Sequence, residues 1–135
     1  MNADPAGASE SPLRVVVVDD HPVSRRGIIS LLECEDALRV CGEARDRAGM
    51  LNILACETPD LALVDLSLGN DSGLDLIRDI RSRAPGCRIL VVSMHDERLY
   101  EDCVIRAGAH GYVSKSEGPD GLIEAVRRVV TVSTS

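Results

Sequence analysis

The chain has 135 residues, the size of one compact domain. With 44% hydrophobic and 27% charged residues it is not a disordered chain. A net charge of −7, from 22 acidic against 15 basic residues, argues against a concentrated positive face for nucleic acid.

No Phe or Trp is present, and the two tyrosines are Tyr100 and Tyr112, so the core must be built from Val, Leu, Ile and Ala. That composition suits parallel strands buried on both faces. Five cysteines, Cys34, Cys41, Cys56, Cys87 and Cys103, lack C-x-x-C spacing and are expected as reduced, buried thiols of a cytoplasmic protein. No apolar run reaches the ~20 residues that span a bilayer, so no membrane association is expected.

Residues 1–12 are rich in Ala, Gly, Ser and Pro and are predicted to form a disordered N-terminal tail. A first strand is predicted at Leu13–Val18, and Pro22 suits the first position of a helix. A second strand follows at Ala37–Cys41. Pro59 separates the next helix from a third strand at Leu61–Asp65. Leu74, Ile77, Ile80 and Ala84 make one helical stripe, closed by Pro85-Gly86 before a strand at Arg88–Ser93. Leu99, Cys103 and Ala107 make the next stripe, and Gly108 suits a left-handed cap. A fifth strand is predicted at His110–Val113. Leu122, Ile123, Val126, Val129 and Val130 line a last helix, and 131–135 read as a polar C-terminal tail. Five β-α units predict an α/β fold: a five-stranded parallel sheet with helices on both faces, spanning 13–130.

Asp19-Asp20, Asp65 and Ser93 fall at strand ends, and Lys115 lies just beyond the fifth strand. In the flavodoxin-like, doubly wound order 2-1-3-4-5, the first and third strands are neighbours at ~4.8 Å. Asp19, Asp20 and Asp65 then share one pocket, flanked by Ser93 and within reach of Lys115. Three such carboxylates need a raised pKa or a bound cation. Mg²⁺ prefers oxygen ligands and is often shared with a phosphate. A carboxylate can also be the nucleophile of phosphoryl transfer, and Asp65 is the best placed.

Each residue has a bland reading. Asp19-Asp20 can be solvated carboxylates near a helix start, and Asp65 a turn cap. Ser93 alone reads as structural, Lys115 as a loop lysine and Tyr112 as a half-buried strand aromatic beside Gly111. The joint pattern weighs against coincidence, which is below roughly one in ten. His21, His95 and His110 lack metal-ligand spacing and read as unrelated residues, although His95 sits two residues past Ser93. Arg25-Arg26 and Arg127-Arg128 read as solvated helix faces.

The segments VVVVDDHPVSRRGI, LALVDLSLGNDSGLDLI, ILVVSMHDE and GAHGYVSK resemble the receiver (CheY-like) domain of two-component response regulators. The wording DDHP, SMHDE and GAHGY is similar to the branch joined to a LuxR-type helix-turn-helix. The resemblance implies a Mg²⁺ site of Asp19, Asp20, Asp65 and the Ser67 backbone carbonyl. It implies Asp65 as phospho-acceptor, Lys115 as the family's lysine, and Ser93 and Tyr112 as switch residues. Ser67 and His95 occupy positions that tune phosphate lifetime. The implied partner is a sensor histidine kinase, with a homodimer on phosphorylation. DNA would be bound by a C-terminal domain outside this chain, so Thr131–Ser135 would begin a linker. A natural single-domain regulator is the other expectation. The implied activity is self-phosphorylation and autodephosphorylation, not turnover of a separate substrate.

Two departures stand out: Leu68-Gly69 where the family often has Met-Pro, and Ser116 after the lysine where it often has Pro. A cis bond before a non-proline residue costs ~3 kcal/mol, so the geometry of Lys115–Ser116 is left open. A phosphorylation-silent interaction module is one competing reading, but all the reactive groups are present. A Mg²⁺-dependent phosphohydrolase is another, but it wants a second Asp where Ser67 stands.

Overall fold

The computed structural model describes residues 12–65, 67–68, 71–94 and 98–131, with the side chains at 67, 68, 71, 72 and 98–100 excepted. The strands are β1 (Leu13–Val18), β2 (Leu38–Ala44), β3 (Leu61–Asp65), β4 (Arg88–Ser93) and β5 (Gly111–Ser114). The helices are α1 (Pro22–Glu33), α2 (Arg47–Cys56), α3 (Gly73–Arg83), α4 (Arg98–Ala107) and α5 (Gly118–Thr131). The five strands form one parallel sheet in the order β2-β1-β3-β4-β5.

Alternation along the strands sorts the core into two halves. Val16, Val18, Ala62, Val64, Ile89 and Val91 pack with Met50, Leu76, Ile77, Ile80 and Val104 from α2, α3 and α4. Val15, Val17, Leu61, Leu63, Leu90 and Val92 pack with Ile28, Ile29, Leu32, Leu122, Val126 and Val129 from α1 and α5. β3 is buried along its whole length, so its sequence is continuously apolar up to Asp65. Each fully buried Val, Leu or Ile contributes about 1.5–3 kcal/mol of transfer free energy.

Local chemistry sets the element ends. The Asp46 side chain caps α2 by accepting the Gly49 N–H at 2.8 Å. α4 closes in a Schellman motif, with Gly108 N–H on the Ile105 carbonyl at 3.1 Å and Ala109 N–H on the Val104 carbonyl at 2.9 Å. Gly108 adopts φ +124°, open to glycine at little cost. A 3₁₀ turn, Lys115–Glu117, joins β5 to α5 through a capping box between Ser114 and Glu117.

Several expectations need correction. β2 runs to Ala44 instead of Cys41, because a bulge at Cys41 lets Gly42 and Glu43 rejoin the ladder. β5 begins at Gly111, one residue late, with His110 just outside it. A two-residue antiparallel ladder, Ser67–Leu68 with Asp71–Ser72, was not predicted. Among the described side chains of α4, Val104 is buried and Cys103 is exposed. Cys34 and Cys56 are exposed too, and Cys87 is the fully buried thiol, pushed up to about 12 by burial. Among the described residues no peptide bond is cis, so Lys115–Ser116 is trans. No described helix is long and apolar enough to cross a membrane. The two tails lie outside the described residues, except Pro12 and Thr131.

Candidate functional site

Parallel pairing of β1 with β3 brings two carboxylates to one edge of the sheet. Asp19 follows β1, its backbone N–H bound to the Ala44 carbonyl at 3.0 Å and its side chain fully buried. Asp65 ends β3 and is 2% exposed. Lys115, carried in by the 3₁₀ turn, bridges them: its Nζ lies 3.3 Å from Asp19 Oδ2 and 3.4 Å from Asp65 Oδ2. The same ammonium donates to Ser24 Oγ at 2.8 Å. All its donors thus point at oxygen, and its position is pinned from two sides.

Asp19 is held below the ordinary carboxylate range. Burial, the largest influence, pushes it up. The His21 backbone N–H, the Ser24 hydroxyl, Asp65 and Lys115 together outweigh that push. The backbone bond is direct, His21 N–H to Asp19 Oδ1 at 2.9 Å.

Asp20 is partly exposed, yet its Oδ1 atom is buried and accepts no hydrogen bond. Asp19, Asp20, His21 and Asp65 each offer a ligand atom, all within 4.8 Å of one another. Three carboxylates converging on one point and balanced by a single ammonium fit a divalent cation, which offsets the remaining charge.

Ser93 closes β4 at 3% exposure and faces Ser114, its register partner at the end of β5. Ser114 is buried and shares a 2.8 Å hydroxyl contact with Ser116. Tyr112 is half-buried on β5 and packs against the core on the α4 side. With Glu101, Ile105 and Arg128 it lines a cavity of about 210 Å³ between α4 and α5. Ser67 opens the short ladder two residues past Asp65; its side chain lies outside the described residues, as does all of His95.

The structure therefore gathers Asp19, Asp20, Asp65 and Lys115, with Ser93 on the adjacent strand end. Sequence reasoning missed four neighbours. Ser24 and Arg25 sit one turn into α1, on the side turned to the strand ends. Arg25 is not a solvated face residue: its guanidinium donates to the Asp19 carbonyl at 2.7 Å and to Glu43 Oε1 at 2.7 Å. His21 is not unrelated either, with Nδ1 2.9 Å from Asp20 Oδ1. Ser114 was read only as part of the loop to Lys115. The helical period after Pro22 was the available signal for Ser24 and Arg25.

Residues 15–127 match the family model described as the response regulator receiver domain. The chain belongs to this family. The receiver is 32% identical to the transcriptional regulatory protein DegU of Brevibacillus brevis over 121 residues, 90% of this chain and 51% of DegU. It superposes on a LuxR-family two-component response regulator from Aurantimonas sp. SI85-9A1 with TM-score 0.83 and 34% identity, covering 89% of this chain and 86% of that one. It is also similar to a response regulator from Burkholderia pseudomallei, with TM-score 0.75 and 28% identity over 84% of this chain and 65% of that one. That structure contains a phosphorylated aspartic acid and a calcium ion. The receiver is thus of the kind found in LuxR-type regulators, and it spans about half the length of the curated relatives it matches.

Proposed function

We propose that Asp65 accepts a phosphoryl group from the phosphohistidine of a sensor kinase, in the cytoplasm. One observation carries the reading: Asp65 is buried at the end of a central strand, with Lys115 Nζ at 3.4 Å and two further carboxylates beside it. A carboxylate so placed has a counter-charge that can follow the transferred group. The phosphorylated aspartic acid of the Burkholderia pseudomallei relative supports the same assignment.

Asp19, Asp20, Asp65 and the Ser67 carbonyl would hold Mg²⁺. The ion, when bound, offsets the carboxylate charge and stabilises the phosphoryl oxygens. An Asp65 carboxylate oxygen attacks phosphorus, the P–N bond breaks, and the donor imidazole leaves with the electron pair. Lys115 neutralises charge on the transferred group, and the Ser93 hydroxyl donates to it. Tyr112 fills the space that Ser93 leaves, so the surface of α4, β5 and α5 changes shape. Water later cleaves the acyl phosphate to carboxylate and inorganic phosphate, at a rate tuned by Ser67 and His95. In the whole regulator, residues beyond 131 would lead to a DNA-binding domain, and phosphorylation would favour a homodimer.

Intact-mass spectrometry after acetyl phosphate, with and without Mg²⁺, tests the reading. One added phosphoryl group, Mg²⁺-dependent and absent in Asp65→Asn, is expected. An unchanged adduct in that variant would overturn the assignment.

A further inference from the structure

A cavity of about 300 Å³ lies between α1 and the start of α5, over the carboxyl ends of β4 and β5. Its walls are Ile28 and Leu31 of α1, Val92 of β4, Val113 of β5 and Leu122 of α5. Gly27 and Gly118 line it too, and a Cβ on either would meet nothing within 4 Å. Two missing side chains therefore leave the space unfilled. Ile28, Val92, Val113 and Leu122 are each no more than 8% exposed. A groove shaped for a partner helix would leave its apolar walls open to water, whereas these walls are reached only by something small. An apolar cavity of about 150 Å³ takes up benzene, so this one has room for two fused rings.

One end of the cavity is polar, formed by Ser24, Ser114 and Lys115. A charged head is disfavoured there. The Lys115 ammonium already faces Asp19, Asp65 and Ser24, so an anion would meet two carboxylates and find no donor left. A cation would sit against the ammonium. Ser24 has capacity left. Its hydroxyl accepts from Lys115 at 2.8 Å and donates to Asp19. Among the described residues, one of its two lone pairs then remains for a ligand's donor. We infer that this cavity binds a neutral, two-ring aromatic molecule carrying one N–H or O–H, with that donor on Ser24 Oγ and the rings between α1 and α5. Such a ligand touches the turn that carries Lys115, which gives the receiver a chemical input beside phosphorylation. The inference does not rest on Asp65 accepting phosphate, and its test needs neither Mg²⁺ nor a phosphodonor.

Indole is the probe, titrated into the full chain and followed by two-dimensional ¹H–¹⁵N NMR. It is expected to move the amide signals of Gly27, Val113, Gly118 and Leu122 and to leave those of α2 and α3 in place. A molecule this small is expected to bind at roughly 0.1–1 mM. 1-Methylindole, which lacks the N–H, should bind the wild type about three- to tenfold more weakly than indole does, and should lose that disadvantage in Ser24→Ala. Gly27→Leu puts a side chain into the space, and Leu favours a helix more than Gly, so the variant should fold and weaken indole about tenfold or more. Indole-3-acetate and tryptamine, the anionic and cationic counterparts, should bind at least about tenfold more weakly than indole. No shift at the four cavity residues by about 10 mM indole would overturn the proposal. So would undiminished binding to Gly27→Leu, equal affinity for indole and 1-methylindole in the wild type, or a charged probe that binds as tightly as indole. A chain that sediments as a dimer, takes no indole and becomes monomeric in Gly27→Leu would place a second copy over the cavity and overturn the proposal as well.

Discussion

Lys115 and Asp65 lie fifty residues apart in sequence and 3.4 Å apart in space, with Asp65 Oδ2 accepting from the lysine ammonium. The ammonium also touches Asp19 and Ser24, so one cation ties β1, α1, β3 and the turn after β5 into a single electrostatic unit. Phosphorylation of Asp65 would place new charge at the centre of that unit. This links the chemistry to the β5 side of the molecule, where Tyr112 and the α4–α5 cavity lie.

Asp65→Asn is expected to stabilise the metal-free protein by about 1 kcal/mol, because it removes one of several crowded carboxylates. The same variant should lose phosphoryl acceptance. Mg²⁺ at a hundredfold excess over its dissociation constant should stabilise the wild type by about 2.7 kcal/mol and the variant by less. Urea unfolding with and without Mg²⁺ measures both effects. A variant less stable than the wild type in the absence of metal would contradict the charge-crowding argument.

Ser24→Ala removes the 2.8 Å acceptor of the Lys115 ammonium. The loss is expected to cost about 1 kcal/mol of stability. With the ammonium less firmly placed, phosphoryl acceptance from acetyl phosphate should slow several-fold. Ser24→Thr, which keeps the hydroxyl, should restore most of the rate. Equal rates in wild type and Ser24→Ala would show that Lys115 is positioned by the carboxylates alone.

A Cβ at residue 111 would lie 2.6 Å from Val129 Cγ2 and 3.3 Å from Leu90 Cδ1. Gly111→Ala is therefore expected to destabilise by roughly 1–3 kcal/mol through overpacking of α5 against β5. Gly86→Ala is the matched control, since its Cβ would meet nothing within 4 Å. Thermal unfolding of the pair should separate them by several degrees, with the Gly111 variant the lower.

His110 Nδ1 accepts the Ile89 backbone N–H at 3.0 Å. Burial first, then Arg81 and Arg88, hold the imidazole below its ordinary 6.5. As pH falls, the unfolded chain takes up this proton before the folded one. Its contribution to stability is intact above 6.5, declines below it, and levels off once the folded imidazole titrates. Asp19 acts with the same sign but in a lower window, below its ordinary 3.8. Urea midpoints from pH 7.5 to 5 should fall more steeply in the wild type than in His110→Asn, which keeps an acceptor without the titration. Parallel curves would remove His110 from the acid response.

Asp19, Asp20, Asp65 and Lys115 were legible in the chain because each follows an apolar run that can only be a strand. Strand ends in a parallel sheet share one edge, so position along the run translated into position in space. His21, Ser24 and Arg25 were not legible, since a polar residue near a helix start has several ordinary roles. Their role depends on how α1 is rotated against the sheet, which Ile28, Ile29 and Leu32 settle by packing. Cys103 and Val104 make the same point on α4: Cys103 was expected in the buried stripe with Ala107, which does pack against the core, but Val104 takes the buried place and Cys103 is exposed.

Gly111 carries the contrast furthest. Its neighbours in sequence suggest room for the Tyr112 ring, whereas its nearest side chains are Val129 and Leu90. Periodicity and strand-end chemistry are local properties, and they were enough for the β-α order, the parallel sheet and, once the order 2-1-3-4-5 is taken, the carboxylate pocket. The rotation of each helix, the bulge at Cys41, the turning of His21 toward the acids and the anchoring of Lys115 on Ser24 arise from close contacts between distant segments. Those contacts depend on side-chain volume and direction to within an ångström, which spacing along the chain does not encode.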